Sequence, residues 1–258
     1  MADRVLIDRD GSIATVTVNR PEKRNAMDIP TRKALYEAFE EVGEDDDVRV
    51  VVLRGAGDGS FIAGGDIDSF TQFDHMDGLE YGDKYGQGLY NYVADLHKPT
   101  IAAVDGYALG GGTEISLACD IRLATEDAKF GLPEVGIGVI PAGGGTQRLV
   151  QVVGAGIASE LILTGRVIDA DYAKEIGLAN HVYSEAEFDD EVRAMAEDLA
   201  SKAPVAQRLA KESIRRSLDI DSGLEYERLA GAFMFGTDDQ KEGANAFLEN
   251  REPEYENR

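Results

Sequence analysis

Two glutamates and two glycine-dense turns carry the chemistry this sequence suggests. Glu114 follows Gly110-Gly111-Gly112, and Glu134 follows Pro133 shortly before Gly143-Gly144-Gly145. Glycine lets the backbone take φ > 0 and lets its N–H groups approach a ligand closely. A helix N-terminus adds unpaired N–H donors and a partial positive charge. Such a turn can hold negative charge that develops on a bound oxygen. Two carboxylates beside turns of this kind make an acid–base site. Each glutamate alone has a plainer reading. Glu114 in a first helical turn can serve only the helix dipole, and Glu134 can be a solvated loop carboxylate.

Other chemistries lack their residues. Gly143-Gly144-Gly145-Thr146 has no following Gly-Lys-Ser/Thr, so it is not a P-loop. There is no Gly-x-Ser-x-Gly elbow. His75, His97 and His181 do not have metal-ligand spacing, so no metal site is expected. Cys119 in Leu117-Ala118-Cys119 reads as a small buried hydrophobe. Tyr81, Tyr85 and Tyr92 could line an apolar pocket beside the carboxylates.

The elements that must position the site are legible in outline. Val5-Leu6-Ile7 and Ile13 to Val18 read as strands joined at Asp10-Gly11. Pro30 opens a helix with Leu35, Ala38, Phe39 and Val42 on one face. Val48 to Leu53 reads as a strand buried on both faces. Phe61 to Ile67 leads into a helix. Residues 74–88 are polar and glycine-rich and are expected to be mobile, and Leu89 to Leu96 returns to helical spacing. Strand-like runs, Ile101 to Val104 and Val135 to Ile140, precede the two glycine turns. Helices are then expected over Gly154 to Leu163 and Asp169 to Ile176, with Gly177 as C-cap and His181-Val182-Tyr183 as a strand. From Glu185 onward the pattern is helical only: Glu185 to Lys202, Val205 to Leu218, Leu224 to Phe235, and Asp238 to Glu249 behind a Thr237–Gln240 capping box. The division is an α/β core over 1–190 and a helical region over 191–258.

The chain has 258 residues, 43% of them hydrophobic, enough for a sizeable core. No apolar run nears the roughly 18 residues of a membrane span, and the N-terminus lacks a signal-type apolar region. A lone cysteine allows no intrachain disulfide framework. The expectation is a soluble, cytoplasmic protein with no membrane partner. There are 49 acidic against 26 basic residues, a net charge of −23. Nucleic-acid binding is opposed by that balance, since a phosphate backbone wants a basic face. Only nine of the basic residues are lysine. High acidity with few lysines looks like adaptation to concentrated salt, where self-repulsion is screened; an ordinary acidic enzyme is the alternative.

Several stretches resemble the enoyl-CoA hydratase/isomerase (crotonase) family: YALGGGTEISLACDIRLAT, KFGLPE and IPAGGGTQRL, with RPEKRNAM, FIAGGDI and TDDQKEGANAFLENR. The likeness spans nearly the whole chain. It implies a crotonase-like spiral of ββα units with a C-terminal helical trimerisation region, and a homotrimer or dimer of trimers. It implies hydration of a trans-2-enoyl-CoA in fatty acid β-oxidation or related acyl-CoA metabolism, coenzyme A being part of the substrate rather than a cofactor. An isomerase, a hydratase of a branched or functionalised acyl-CoA, and a non-catalytic CoA-binding protein are the alternatives, because one fold serves many reactions.

By the same resemblance, Glu114 activates the water and Glu134 exchanges the α-proton. The backbone N–H groups of Gly65 and Gly111 meet the thioester oxygen. Arg24, Ala63, Gly64, Asp66 and Ile67 meet coenzyme A. The sequence departs from the family's pattern at Asp68 and Asn250, where lysines often face phosphates, and at Ala142, where glycine is common. Arg24 and Arg251 are the candidate substitutes. Leu229, Phe233, Phe235 and Phe247 give the C-terminal helices an apolar content suited to subunit packing.

Overall fold

Alternating burial along the first strands fixes the architecture. The computed structural model describes residues 3–66, 75–216, 237–249 and 251–256. Strand β1 (Val5–Asp10) turns at Gly11 and pairs antiparallel with β2 (Ile13–Val18). Beyond β2 the sheet is parallel, through β3 (Val50–Gly55), β4 (Thr100–Val104), β6 (Ile121–Thr125) and β9 (His181–Tyr183), in the order β1-β2-β3-β4-β6-β9. Side chains alternate across a strand. Val51, Leu53, Ala102 and Val104 face one apolar cluster, while Val50, Val52, Ile101 and Ala103 face another. Both faces of the central strands are therefore covered, as for parallel strands generally.

Helix α1 (Ile29–Glu44) covers the first face with Leu35, Ala38, Phe39 and Val42, and its N-terminus is capped by Asp28 accepting from Thr31 N–H. Helix α8 (Glu185–Ala200) covers the second with Phe188, Val192 and Ala196, spaced i, i+4, i+8.

A smaller sheet sits beside the large one: β5 (Tyr107–Leu109), β7 (Lys129–Gly131) and β8 (Val167–Asp169). The chain repeatedly enters the large sheet, then the small one, then a helix. β4 and β5 lead to α4 (Gly111–Ala118), and β6 and β7 lead through a 3-10 turn (Pro133–Ile137) to α5 (Gly145–Val153). After β3, Ile62 pairs with Ala108 of β5 and joins the same small layer. These are the expected ββα units. Helices α6 (Ala155–Thr164) and α7 (Ala170–Glu175) follow, and after α8 come α9 (Pro204–Arg215) and α10 (Asp238–Glu249).

One expectation is corrected. Val135 to Ile140 is no strand: it is the end of the 3-10 turn and an irregular loop. Gly138 sits at φ 79°, and Ile137, Val139 and Ile140 are 55, 52 and 64% exposed. Hydrophobicity signalled burial there, but Pro133 and two glycines break the extended conformation. Residues 75–88, to which the sequence assigned no element, are helical. Helix α2 (His75–Tyr81) passes through a π-turn (Gly82–Gly86) into α3 (Gln87–Asp95). A Cβ at Gly88 would lie 2.1 Å from the Asp83 carbonyl oxygen, so glycine accommodates the wide turn. The helix Leu224 to Phe235, and with it Leu229, Phe233 and Phe235, lies outside the described residues, as do Ile67, Asp68, Asn250 and the side chain of Phe247.

Candidate active site

Glu114 is positioned by a turn that only glycine tolerates. Gly110 precedes α4 at φ 51°, ψ −120°. Its N–H donates to the Gly131 carbonyl at 2.8 Å, and its carbonyl accepts from Glu114 N–H at 3.0 Å. All eight residues of α4 are buried. The Thr113 hydroxyl donates to the Ala108 carbonyl at 2.6 Å and accepts from Gly131 N–H at 3.2 Å. This one hydroxyl locks α4 to β5 and β7. Three residues beyond Gly131, the chain reaches Glu134.

The second glycine turn closes on Glu114 itself. Gly143 N–H and Gly145 N–H donate to Glu114 Oε1 at 2.7 and 3.0 Å. A Cβ at Gly143 would stand 2.6 Å from Glu114 Oε2 and 2.3 Å from the Tyr90 ring. The negative charge held by this turn is therefore Glu114's own. Burial pushes the Glu114 carboxyl up, and the two N–H groups, Arg32 and Arg148 oppose that push.

Glu134 stands in a barer place. Its Oε1 lies against Gly110, where a Cβ would come within 3.0 Å. Its Oε2 is buried with no hydrogen-bond partner among the described residues. Burial pushes this carboxyl up to about 7, with the charge of Glu114 adding to the effect. Gly110 thus serves both glutamates: its carbonyl accepts from the Glu114 backbone N–H, and its α-carbon lies against the Glu134 carboxylate.

The segment 63–66 lies alongside. Met27 N–H donates to Gly64 O, and Asp66 N–H donates to Met27 O. In that parallel bridge the Gly65 N–H points away from Met27. A Cβ at Gly64 would be 3.0 Å from Leu109 O and 3.9 Å from Gly111 N, so the 63–65 backbone flanks the start of α4. Ala63 N–H donates to the carbonyl of Arg24, which sits at φ 53° with its side chain exposed. Asp66 faces Arg20 at 3.4 Å. Arg24, Ala63, Gly64, Gly65 and Gly111 are thereby brought to one rim. Arg251 is engaged elsewhere, by Glu242 on one edge and Glu249 at Nε.

Sequence reasoning missed three residues. Asn25 is fully buried and spans three backbone groups: it accepts from Arg20 N–H and donates to the Ala56 and Ser60 carbonyls. Arg32 is 3% exposed and donates to the Tyr90 hydroxyl at 2.7 Å and the Tyr85 carbonyl at 2.8 Å. Arg148 donates to the Gly143 carbonyl at 3.0 Å and to Asn91 at 2.6 Å. A signal for Arg32 existed, since it precedes Leu35 and Phe39 on the apolar stripe of α1. Tyr92, by contrast, packs on Tyr36 with ring centroids 4.7 Å apart. Cys119 is buried, its thiol pushed up to about 12, which suits a packing role.

A family profile described as enoyl-CoA hydratase/isomerase matches residues 8–258. The chain belongs to this family. It is 42% identical to the short-chain-enoyl-CoA hydratase of Clostridium acetobutylicum, over 99% of both chains. It is 40% identical to the crotonyl-CoA hydratase of Syntrophomonas wolfei, over 98% of both. A crystal structure of enoyl-CoA hydratase from Bacillus anthracis superposes with a TM-score of 0.95 at 37% identity, covering 99% of this chain and 100% of that one. The fold is the crotonase fold.

Proposed function

We propose that this protein adds water reversibly across the 2,3 double bond of a short-chain trans-2-enoyl-CoA. Glu114 takes a proton from water as the water oxygen bonds to the β-carbon. The π electrons move into the thioester carbonyl, and the backbone N–H groups of Gly65 and Gly111 meet the resulting enolate oxygen. Glu134 delivers its proton to the α-carbon, giving a 3-hydroxyacyl-CoA. The reaction so written needs no cofactor. The observation that carries this reading is the contrast between the carboxylates: one held by N–H donors and cations, the other with one oxygen unpartnered among the described residues and pushed to about 7. At neutral pH such a pair can hold one proton between a base and an acid.

The pantetheine and nucleotide run along the rim formed by Arg24, Ala63, Gly64 and Asp66, with the exposed Arg24 nearest a phosphate. The protein works in the cytoplasm as a homotrimer or dimer of trimers built on the region 191–258. Its net charge of −23 suits concentrated salt, where a Debye length of about 3 Å at 1 M removes long-range repulsion of coenzyme A. KM for the acyl-CoA therefore falls as KCl rises towards molar levels. The deciding assay follows loss of enoyl-thioester absorbance across acyl-CoAs of increasing length. Fastest turnover is expected with the four-carbon substrate. Failure to consume any of them, or a 3-enoyl product, would remove the hydratase reading.

A further inference from the structure

Arg32 is a buried cation that the reaction as described does not use. It projects from α1 to the Tyr90 hydroxyl, while the glycine turn that binds Glu114 lies at the edge of the same ring. Its Nη1 donates to the Tyr90 hydroxyl and the Tyr85 carbonyl. Its guanidinium lies 5.2 Å from the ring centroid of Tyr81 and 5.4 Å from that of Tyr90. A Cβ at Gly111 would meet Arg32 Nη2 at 3.0 Å and the Tyr90 hydroxyl at 2.8 Å. Its Nε is buried with no hydrogen-bond partner among the described residues. Among the described residues no carboxylate pairs with it directly. A buried charge held only by a hydroxyl and a carbonyl is expensive. The site that surrounds this charge is the candidate acid–base centre.

We propose that Arg32 is a positioning residue: its fixed charge favours the ionised form of the Glu114 carboxylate against burial, and its bond to Tyr90 sets the ring against which the Gly143 turn closes. The inference rests on the reading of Glu114 as the base for water. Two contacts carry it. Tyr90 is held by Arg32 at one end, and its ring edge occupies the space that a side chain at Gly143 would need. Gly143 N–H in turn donates to Glu114. Guanidinium stays protonated at any working pH, so it supplies a charge that catalysis cannot titrate away.

The groups facing Glu114 come from five elements. Arg32 on α1 and Arg148 on α5 favour its charged form. Tyr81 on α2 and Tyr90 on α3 interact with both Glu114 and Arg32, and Glu134 on the 3-10 turn repels it. Burial opposes the charge of Glu114 and is its largest influence. Removing Arg32 leaves Arg148, which is itself partly shielded by its bonds to Gly143 and Asn91.

The test is direct titration of Glu114 by 13C-carboxyl NMR in the full chain, the resonance being assigned by its loss in Glu114→Gln. In Arg32→Gln and Arg32→Met the midpoint should rise by about one pH unit or more. The acid limb of kcat should follow it, kcat at pH 6 should fall about tenfold, and KM should change little. Arg32→Lys should restore most of the midpoint. A folded neutral variant with an unmoved midpoint overturns the assignment, as does a Lys variant shifted as far as Gln. Glu114→Gln separates the two readings: if it still hydrates crotonyl-CoA, the role of Glu114 fails. If it is inactive while Arg32→Gln titrates like the parent, only the role of Arg32 fails.

Discussion

The surroundings of Glu114 and of Glu134 differ in almost every respect that matters to a carboxylate. Glu114 projects from a helix whose residues are all buried, accepts two backbone N–H bonds, and has arginines from two other helices nearby. Glu134 belongs to a short 3-10 turn that runs straight into the exposed apolar loop at Ile137, Val139 and Ile140. One of its oxygens has no partner among the described residues. Hydrogen bonds to a charged form favour it, and desolvation without them disfavours it. Identical side chains can therefore hold opposite protonation states at one pH, the arrangement an acid–base pair requires. The difference lies in the backbone: glycine N–H groups reach Glu114, and none are aimed at Glu134 Oε2.

The largest effects should come from neutralising each carboxylate. Glu114→Gln should lower crotonyl-CoA hydration about 10²–10⁴-fold while leaving deuterium exchange at the α-carbon of a saturated acyl-CoA partly intact. Glu134→Gln should suppress both by a similar factor, because the α-proton loses its carrier. The double variant should lose less than the product of the singles, since the pair acts as a unit. Hydration and exchange falling equally in Glu114→Gln would erase the contrast between the two sites.

The same contrast predicts a bell-shaped kcat/KM with pH. Activity needs one proton shared over the pair, so it rises on the acid side as Glu114 ionises. It falls on the alkaline side, near pH 7, as Glu134 gives up its proton. Because hydration consumes no net proton, dehydration of the product must show the same two limbs. A profile flat from pH 5 to 9 would mean that neither carboxylate titrates in the working range.

Gly143→Ala sharpens the comparison with a smaller step. The added Cβ would meet the Tyr90 ring at 2.3 Å, so the turn must shift and draw its N–H away from Glu114. Misplacement of about an ångström can cost about 10²-fold in rate. The loss should fall on hydration more than on α-exchange, because Glu134 does not touch this turn. Equal losses in the two assays would show that the turn serves both carboxylates.

Much of this arrangement was legible before any coordinates. Glu114 and Glu134 stood out because each adjoins a glycine cluster, and the long amphipathic elements followed from periodicity: α1 by its Leu35–Phe39 stripe and α8 by its 3.6-residue spacing. The small sheet was not legible. Its strands are three residues each, too short for alternation to register, and they are held by the Thr113 hydroxyl rather than by their own side chains. The loop at 135–140 misled for the converse reason: apolar residues stand exposed there, so composition and burial part company. Arg32 and Tyr90 escaped because their importance lies in a contact between α1 and α3, which no local pattern encodes.

The smallest effect concerns stability, and it isolates the environment of Glu134 from its chemistry. A carboxyl whose pKa is raised on folding stabilises the folded state only while it is protonated. Its unfolded value is about 4.3, and its folded value is about 7. Below about pH 4 the group carries a proton in both states and costs nothing. As pH rises from there to about 7, the unfolded chain releases its proton while the folded one retains it, so stability is lost progressively. Above 7 the loss is complete. Glutamine carries no charge at any pH and escapes this penalty. Glu134→Gln should therefore match the parent in Tm near pH 4 and exceed it at pH 8. With allowance for solvent contact of a half-buried group, the gain is on the order of 1 kcal/mol, or a few degrees in Tm for a chain of this size. Glu114→Gln keeps one acceptor oxygen for the two backbone N–H groups but gives up the charge that they and two arginines favour, so its gain at pH 8 should be smaller. Thermal melts of both variants at pH 5 and pH 8 decide the matter. Equal and pH-independent shifts for the two would mean that the carboxylates share one environment, and the division of labour between them would have no physical basis.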